Sequence, residues 1–108
     1  MNKLKTGYEV IFIAPQNRRH EGKLVTDRVI EEAEKLGLHR VTKRSDLEGT
    51  GHSGHTHAAH FFELADQPIE LIYLLDDATA DKLITAVDAA GIPVFCVQWQ
   101  AAFGELGG

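Results

Sequence analysis

Four of the six histidines in this 108-residue chain, His52, His55, His57 and His60, fall within nine residues. Imidazole is the commonest ligand for divalent transition metals and the side chain that titrates nearest neutral pH. A zinc site needs ligands converging at about 2.0–2.1 Å, usually four of them in a tetrahedral array. The pairs His52-x-x-His55 and His57-x-x-His60 can each bring two imidazoles together on a helical turn. His55 and His57 share a face if the segment is extended. Asp46, Glu48 or Glu63 can add an oxygen ligand, and a neighbouring subunit can complete the set. Zinc, copper(II) and nickel suit such donors; copper(I) does not, because Cys96 is the single thiol. Two other readings of the cluster are a solvated loop that holds no ligand and a pH sensor built on shared protonation. Glycine and small residues surround the histidines, so the stretch reads as a loop between strands.

Other chemistry finds little support. Ser53 has no carboxylate at a spacing that would make a nucleophile triad. The chain has no phosphate-binding glycine loop of the Walker type, no dinucleotide fingerprint and no His-Glu-x-x-His helix. Asp76-Asp77 is explained by helix capping, and His20 and His39 read as surface residues. No general acid or base is recognisable, so a non-enzymatic role is expected. A net charge of −5 argues against a nucleic-acid binder. No apolar run approaches the roughly 20 residues that span a bilayer, so no direct membrane insertion is expected. The apolar stretch after Met1–Gly7 is too short for a signal peptide, which makes the cytoplasm the expected compartment. One cysteine excludes an internal disulfide, and Cys96 reads as a core residue.

The elements that must position the loop come in two similar halves, expected to form a single domain over residues 1–108. Tyr8–Ala14 is a β-branched and aromatic run closed by Pro15, which predicts a buried strand. From about His20 to Leu36 the apolar residues Val25, Val29, Ala33 and Leu36 recur at helical spacing, and Gly37 predicts the helix end. Arg40–Leu47 predicts a partly exposed strand. In the second half, Phe61–Leu64 and Ile69–Leu75 predict one strand interrupted near Gln67-Pro68, or two strands of a hairpin. A helix capped by Asp77 or Thr79 runs to about Ala90, with Leu83, Ile84 and Val87 inward, and Pro93–Gln98 closes the fold. Trp99 and Phe103 either finish the core or cover a cleft between subunits, and Gly104–Gly108 is expected to fray. A doubled β-α-β pattern predicts an α+β, ferredoxin-like βαββαβ sandwich: four antiparallel strands, two helices on one face, and a long loop between strands two and three. Both faces of the central strands are apolar (Val10, Phe12 and Ala14 against Ile11 and Ile13), which predicts an oligomer with sheets packed together.

Three segments carry a resemblance to a known family: Leu24–Gly37, the loop opening Glu48-Gly-Thr-Gly51, and Glu70-Leu-Ile-Tyr-Leu-Leu-Asp-Asp77. With the strand order and chain length they resemble the nitrogen regulatory P-II superfamily, nearest to its short divergent P-II-like members. The resemblance implies a homotrimer, a small effector (usually an adenine nucleotide) in clefts between subunits, and a loop after strand two that docks a partner protein. Carried over, Gly49 and Gly51 match the glycines at the loop base, and Lys43 and Arg44 can serve a phosphate or carboxylate. Two departures stand out. The connection Gly91-Ile-Pro93 lacks the basic residues that hold nucleotide phosphates in P-II proteins, which leaves a nucleotide open. The loop also lacks the modifiable tyrosine. The expected role is therefore a regulatory or sensor protein whose loop, residues 48–60, responds to a small effector. The alternative is a transition-metal binding or metal-tolerance protein of similar trimeric fold.

Overall fold

The computed structural model describes residues 2–45 and 67–108. The apolar run that ends at Pro15 belongs to strand β1 (Lys5–Pro15), longer at its start than hydropathy predicts. Its first residues are held by pairing, since Lys5–Glu9 run antiparallel to Phe103–Trp99 of β6 (Phe95–Phe103). On its other side β1 pairs with β5 (Pro68–Leu75), and this ladder closes on Pro15 opposite Pro68, neither of which has an N–H to donate. Strand β4 (Thr42–Ser45) pairs with Ile69–Ile72 of β5. The sheet order is β4-β5-β1-β6, every pairing antiparallel. Helices α1 (Val25–Lys35) and α2 (Asp77–Ala89) follow β1 and β5 and pack on one face. The ferredoxin-like βαββαβ sandwich is the fold the doubled pattern predicts. Among the described residues no helix is long and apolar enough to cross a membrane.

Each helix ends in the same way. The N–H of Leu38 reaches the carbonyl of Ala33 and that of Gly37 reaches Glu34; Ile92 reaches Val87 and Gly91 reaches Asp88. These are two Schellman endings, with Gly37 and Gly91 at φ of 81° and 70°, where a side chain would strain the backbone. The start of α1 departs from expectation. Helical spacing predicted a helix from about His20, but Glu21 and Gly22 both take positive φ and close a two-residue hairpin between β2 (Arg19–His20) and β3 (Lys23–Leu24). Leu36 also departs: it is the C-cap of α1 and lies exposed, not in the core. Asp76, one residue before the expected caps, accepts a 2.7 Å hydrogen bond from the N–H of Thr79.

The core between sheet and helices is built from Val10, Phe12 and Ala14 of β1, Leu71 and Tyr73 of β5, Val25, Val29 and Ala33 of α1, and Leu83 and Val87 of α2. Phe12 and Tyr73 meet edge to face, ring centroids 6.2 Å apart. Strand alternation sends Ile11 and Ile13 to the opposite, outer face, where Ile72, Phe95, Val97 and Trp99 pack beside them, partly exposed. Trp99 therefore joins a second, smaller apolar cluster and not the main core. Its indole N–H donates to a Glu9 carboxylate oxygen at 2.5 Å.

Candidate functional site

Strand alternation separates the two basic residues singled out before the loop. Arg44 stands opposite Glu70 in the β4–β5 ladder and shares its outer face, whereas Lys43 stands opposite Leu71 and shares the helix face. Lys43 is exposed. Arg44 Nη2 lies 2.7 Å from Glu70 Oε1, and the Glu70 side chain is fully buried. The second Glu70 oxygen and Arg44 Nε are also buried, with no hydrogen-bond partner among the described residues. A buried carboxylate must keep its cation, so Arg44 is tied to Glu70 and does not converge with Lys43. Gly49, Gly51, His52, His55, His57 and His60 lie outside the described residues, as does Phe61–Leu64.

A groove of about 530 Å³ at the end of the sheet where β6 finishes and β4 begins joins apolar walls to a charged rim. Its apolar lining is Val41, Ile72, Leu74 and Phe103; its polar lining is His39, Arg40, Thr42 and Glu105. Local folding explains each wall. The Schellman ending of α1 turns Leu38 back against the core and leads residues 39–41 to β4. Ile72 and Leu74 are outer-face residues of β5, and Leu74 is half-exposed. The Phe103 ring lies close over Gly7, where a Cβ would sit 2.8 Å from Phe103 Cε2 and 2.3 Å from the Leu75 carbonyl oxygen. Only glycine permits both approaches. Arg40 Nη1 and Glu105 Oε1, 3.3 Å apart, join two lining segments of the groove.

Two titratable core groups are chemically quiet. Burial, with the charge of Glu34 adding to it, pushes the Tyr73 hydroxyl up to about 12. Burial pushes the Cys96 thiol up to about 11, which suits the core role expected for it and not a reactive thiol. Cys96 borders a smaller crevice of about 270 Å³ between α2 and β6, lined largely by apolar side chains.

The sequence does not single out Arg40 or Glu105 as site residues, and it offers Phe103 as one that finishes the core or covers a cleft between subunits. Arg40 and Glu105 are 65 positions apart, and no spacing rule links them. The usable signal was Gly7, since a glycine within a strand marks a close approach by another group, here the Leu75 carbonyl and the Phe103 ring.

A sheet of order β4-β5-β1-β6 with both helices on one face is the ferredoxin-like fold that PII-like proteins share. The solved structures agree. One, from Thermus thermophilus and described as a PII-like signaling protein, matches with TM-score 0.62 at 15% identity over 94% of this chain and 93% of that one. CPII from Thiomonas intermedia K12, bound to ADP, AMP and acetate, matches with TM-score 0.65 at 14% identity over 96% and 94%. CPII bound to ADP, AMP and bicarbonate, described as a nitrogen regulatory PII-like protein, matches with TM-score 0.62 at 12% identity over 95% and 96%. At such identities the likeness establishes the fold. A family model described as DUF190, Uncharacterized ACR, COG1993, matches residues 10–94, and the chain belongs to that family. No curated protein matches the sequence significantly.

The expected metal cofactor is corrected by these findings. The CPII structures are described with nucleotides and with acetate or bicarbonate, not with zinc, copper or nickel. Among the described residues no three His, Cys, Asp or Glu side chains converge on a point that would hold an ion. The four histidines that carried that expectation, His52, His55, His57 and His60, lie outside the described residues, and the two within them, His20 and His39, flank opposite ends of the 11-residue α1, about 16 Å long at 1.5 Å per residue.

Proposed function

We propose that this protein is a non-enzymatic, P-II-like regulatory protein that senses a small anionic effector, of the class formed by adenine nucleotides and small carboxylates. The observation that carries the reading is the groove. Its apolar walls, Ile72, Leu74 and Phe103, suit a flat heterocycle, while Arg40 and His39 at the rim suit a phosphate or carboxylate. Solved structures of the same fold are described with such molecules bound. In this reading the chain acts as one domain and assembles as a homotrimer, burying the outer-face cluster around Ile11 and Ile13. Gly49 and Gly51 assist at the effector, Lys43 stays on the opposite face of β4 from the groove, and Arg44 holds β4 in place through Glu70. Residues 48–60, with His52, His55, His57 and His60, form the segment that docks a partner protein. The effector changes docking only by the difference in its affinity for the two forms of that segment.

Isothermal titration with ADP, AMP and bicarbonate tests the effector. Saturable uptake that is weakened in Arg40→Gln and Leu74→Asp is the expected result; no heat from any of the three overturns the reading. Light scattering coupled to size exclusion tests assembly, with a mass near three chains expected for the wild type and a smaller species for Val97→Glu. A stable single-chain wild type would refute the trimer.

A further inference from the structure

We infer that Glu105 is a tethered competitor for the anion subsite at Arg40, so that the C-terminal tail and an anionic effector exclude one another from the groove. The inference rests on the anionic-effector reading above and adds a specificity-determining residue to it. Glu105 Oε1 lies 3.3 Å from Arg40 Nη1, and both residues line the groove. The guanidinium that an incoming phosphate or carboxylate would meet is thus already in contact with a carboxylate from the same chain.

The attachment of the tail is of a kind that yields. The two side chains are 92% and 84% exposed, which puts the pair in the weak, salt-screened class. Leu106, the large apolar residue after Phe103, is 74% exposed, so among the described residues nothing apolar anchors the segment after β6. Its other polar tie is a 3.3 Å hydrogen bond from Lys3 Nζ to the Gly108 carbonyl. The near end, by contrast, is fixed. Phe103 ends β6 with its ring against Gly7, and at Gly104 a Cβ would already lie 3.3 Å from Leu4 Cδ2. Glu105 therefore stands two residues from a fixed point, which keeps its local concentration at Arg40 high without any strong contact. A neutral ligand using only the apolar walls does not compete with it. An anion does.

The test compares wild type, Glu105→Gln, Arg40→Gln and the double variant by titration with AMP and with adenosine. Glu105 is exposed, so the exchange leaves folding unaffected. Glu105→Gln is expected to bind AMP about two- to five-fold more tightly, the range an exposed pair can supply, with adenosine affinity unchanged. The gain should shrink as salt is raised and vanish on the Arg40→Gln background. Asp81→Asn, an equal charge change on α2 and therefore on the helix face, should leave AMP affinity alone. Equal AMP affinity in wild type and Glu105→Gln overturns the inference while the effector reading stands. An equal gain for adenosine overturns it too, because it would show a steric and not a charge effect. Absence of AMP uptake in every variant sinks the effector reading and this inference together.

Discussion

Gly7→Ala is expected to destabilise the fold and to distort the groove at once. A Cβ at position 7 would lie 2.3 Å from the Leu75 carbonyl oxygen, and ordinary contact begins at 3.4 Å, so roughly 1.1 Å of separation must be found. The obstacle is backbone of the central β1–β5 ladder, which cannot swing aside as a side chain can. Forcing a methyl group into such a place costs about 1–3 kcal/mol, offset by roughly 0.5–1 kcal/mol because alanine loses less entropy than glycine on folding. The net lies between zero and about 2.5 kcal/mol, toward the upper end because the obstacle is backbone, and corresponds to a fall in Tm of up to roughly 20 °C for a chain near this size. The assay is urea denaturation of Gly7→Ala, Phe103→Ala and the double variant. Because the Phe103 ring is the second neighbour, at 2.8 Å, Phe103→Ala should relieve only part of the Gly7→Ala penalty. Unchanged or raised stability of Gly7→Ala refutes the close-approach argument. Complete rescue by Phe103→Ala would show that the ring, and not the carbonyl, is the obstacle.

Two further outcomes follow from the polar pairs. Arg44→Ala leaves the fully buried Glu70 without its cation and should cost about 2–3 kcal/mol, below the figure for a wholly buried pair because 33% of the Arg44 side chain is exposed. Glu70→Leu combined with Arg44→Met should recover most of that in urea denaturation, and failure to recover would mean the pair contributes more than neutralisation. Asp76 is held below the usual carboxylate range by its hydrogen bonds to Thr79. Its contribution is therefore present above the ordinary aspartate value and lost as pH falls through the depressed one. Asp76→Asn, which can still cap α2, should give a Tm that falls less between neutral pH and about pH 2 than that of the wild type; parallel curves would refute the assignment.

The parts of the fold legible in the sequence are those fixed by short-range rules. The run Tyr8–Ala14 named the central strand because β-branched residues crowd it, and Gly37 and Gly91 named both helix ends because each needs positive φ. Apolar residues on both parities of β1 disclosed the outer cluster. What escaped depends on pairs distant in sequence. Strand β6 extends to Phe103 because Lys5–Glu9 offers it a ladder, although the stretch Gln98–Ala102 carries no strong strand signal. The Glu21-Gly22 turn was hidden because the helical period of α1 can be extended backward through it on hydropathy alone. The exposed position of Leu36 reflects the same limit: spacing marks a helix face but not where the cap leaves it. Lys43 and Arg44 looked like one basic site because adjacency in sequence was read as proximity, whereas strand alternation sends them to opposite faces.

The architecture places three features along one sheet edge, and their order matters for how a signal would travel. Thr42, the first residue of β4, lines the groove; Arg44 is pinned to Glu70; Ser45 ends the strand where residues 46–66 begin. A strand of four residues spans about 10 Å at 3.3 Å per step, short enough to move as one piece. Its pairing with Ile69–Ile72 and the buried ion pair together resist any motion of one end without the other. In the proposed mechanism, an effector that shifts residues 39–42 would act on Ser45 through this direct connection, without a path through the core. The same geometry gives Glu70 a role in the proposed mechanism that is separate from ligand contact. In Glu70→Leu with Arg44→Met, effector affinity should be preserved while the effect of the effector on partner docking changes. Loss of affinity with unchanged coupling would place Arg44 at the ligand instead.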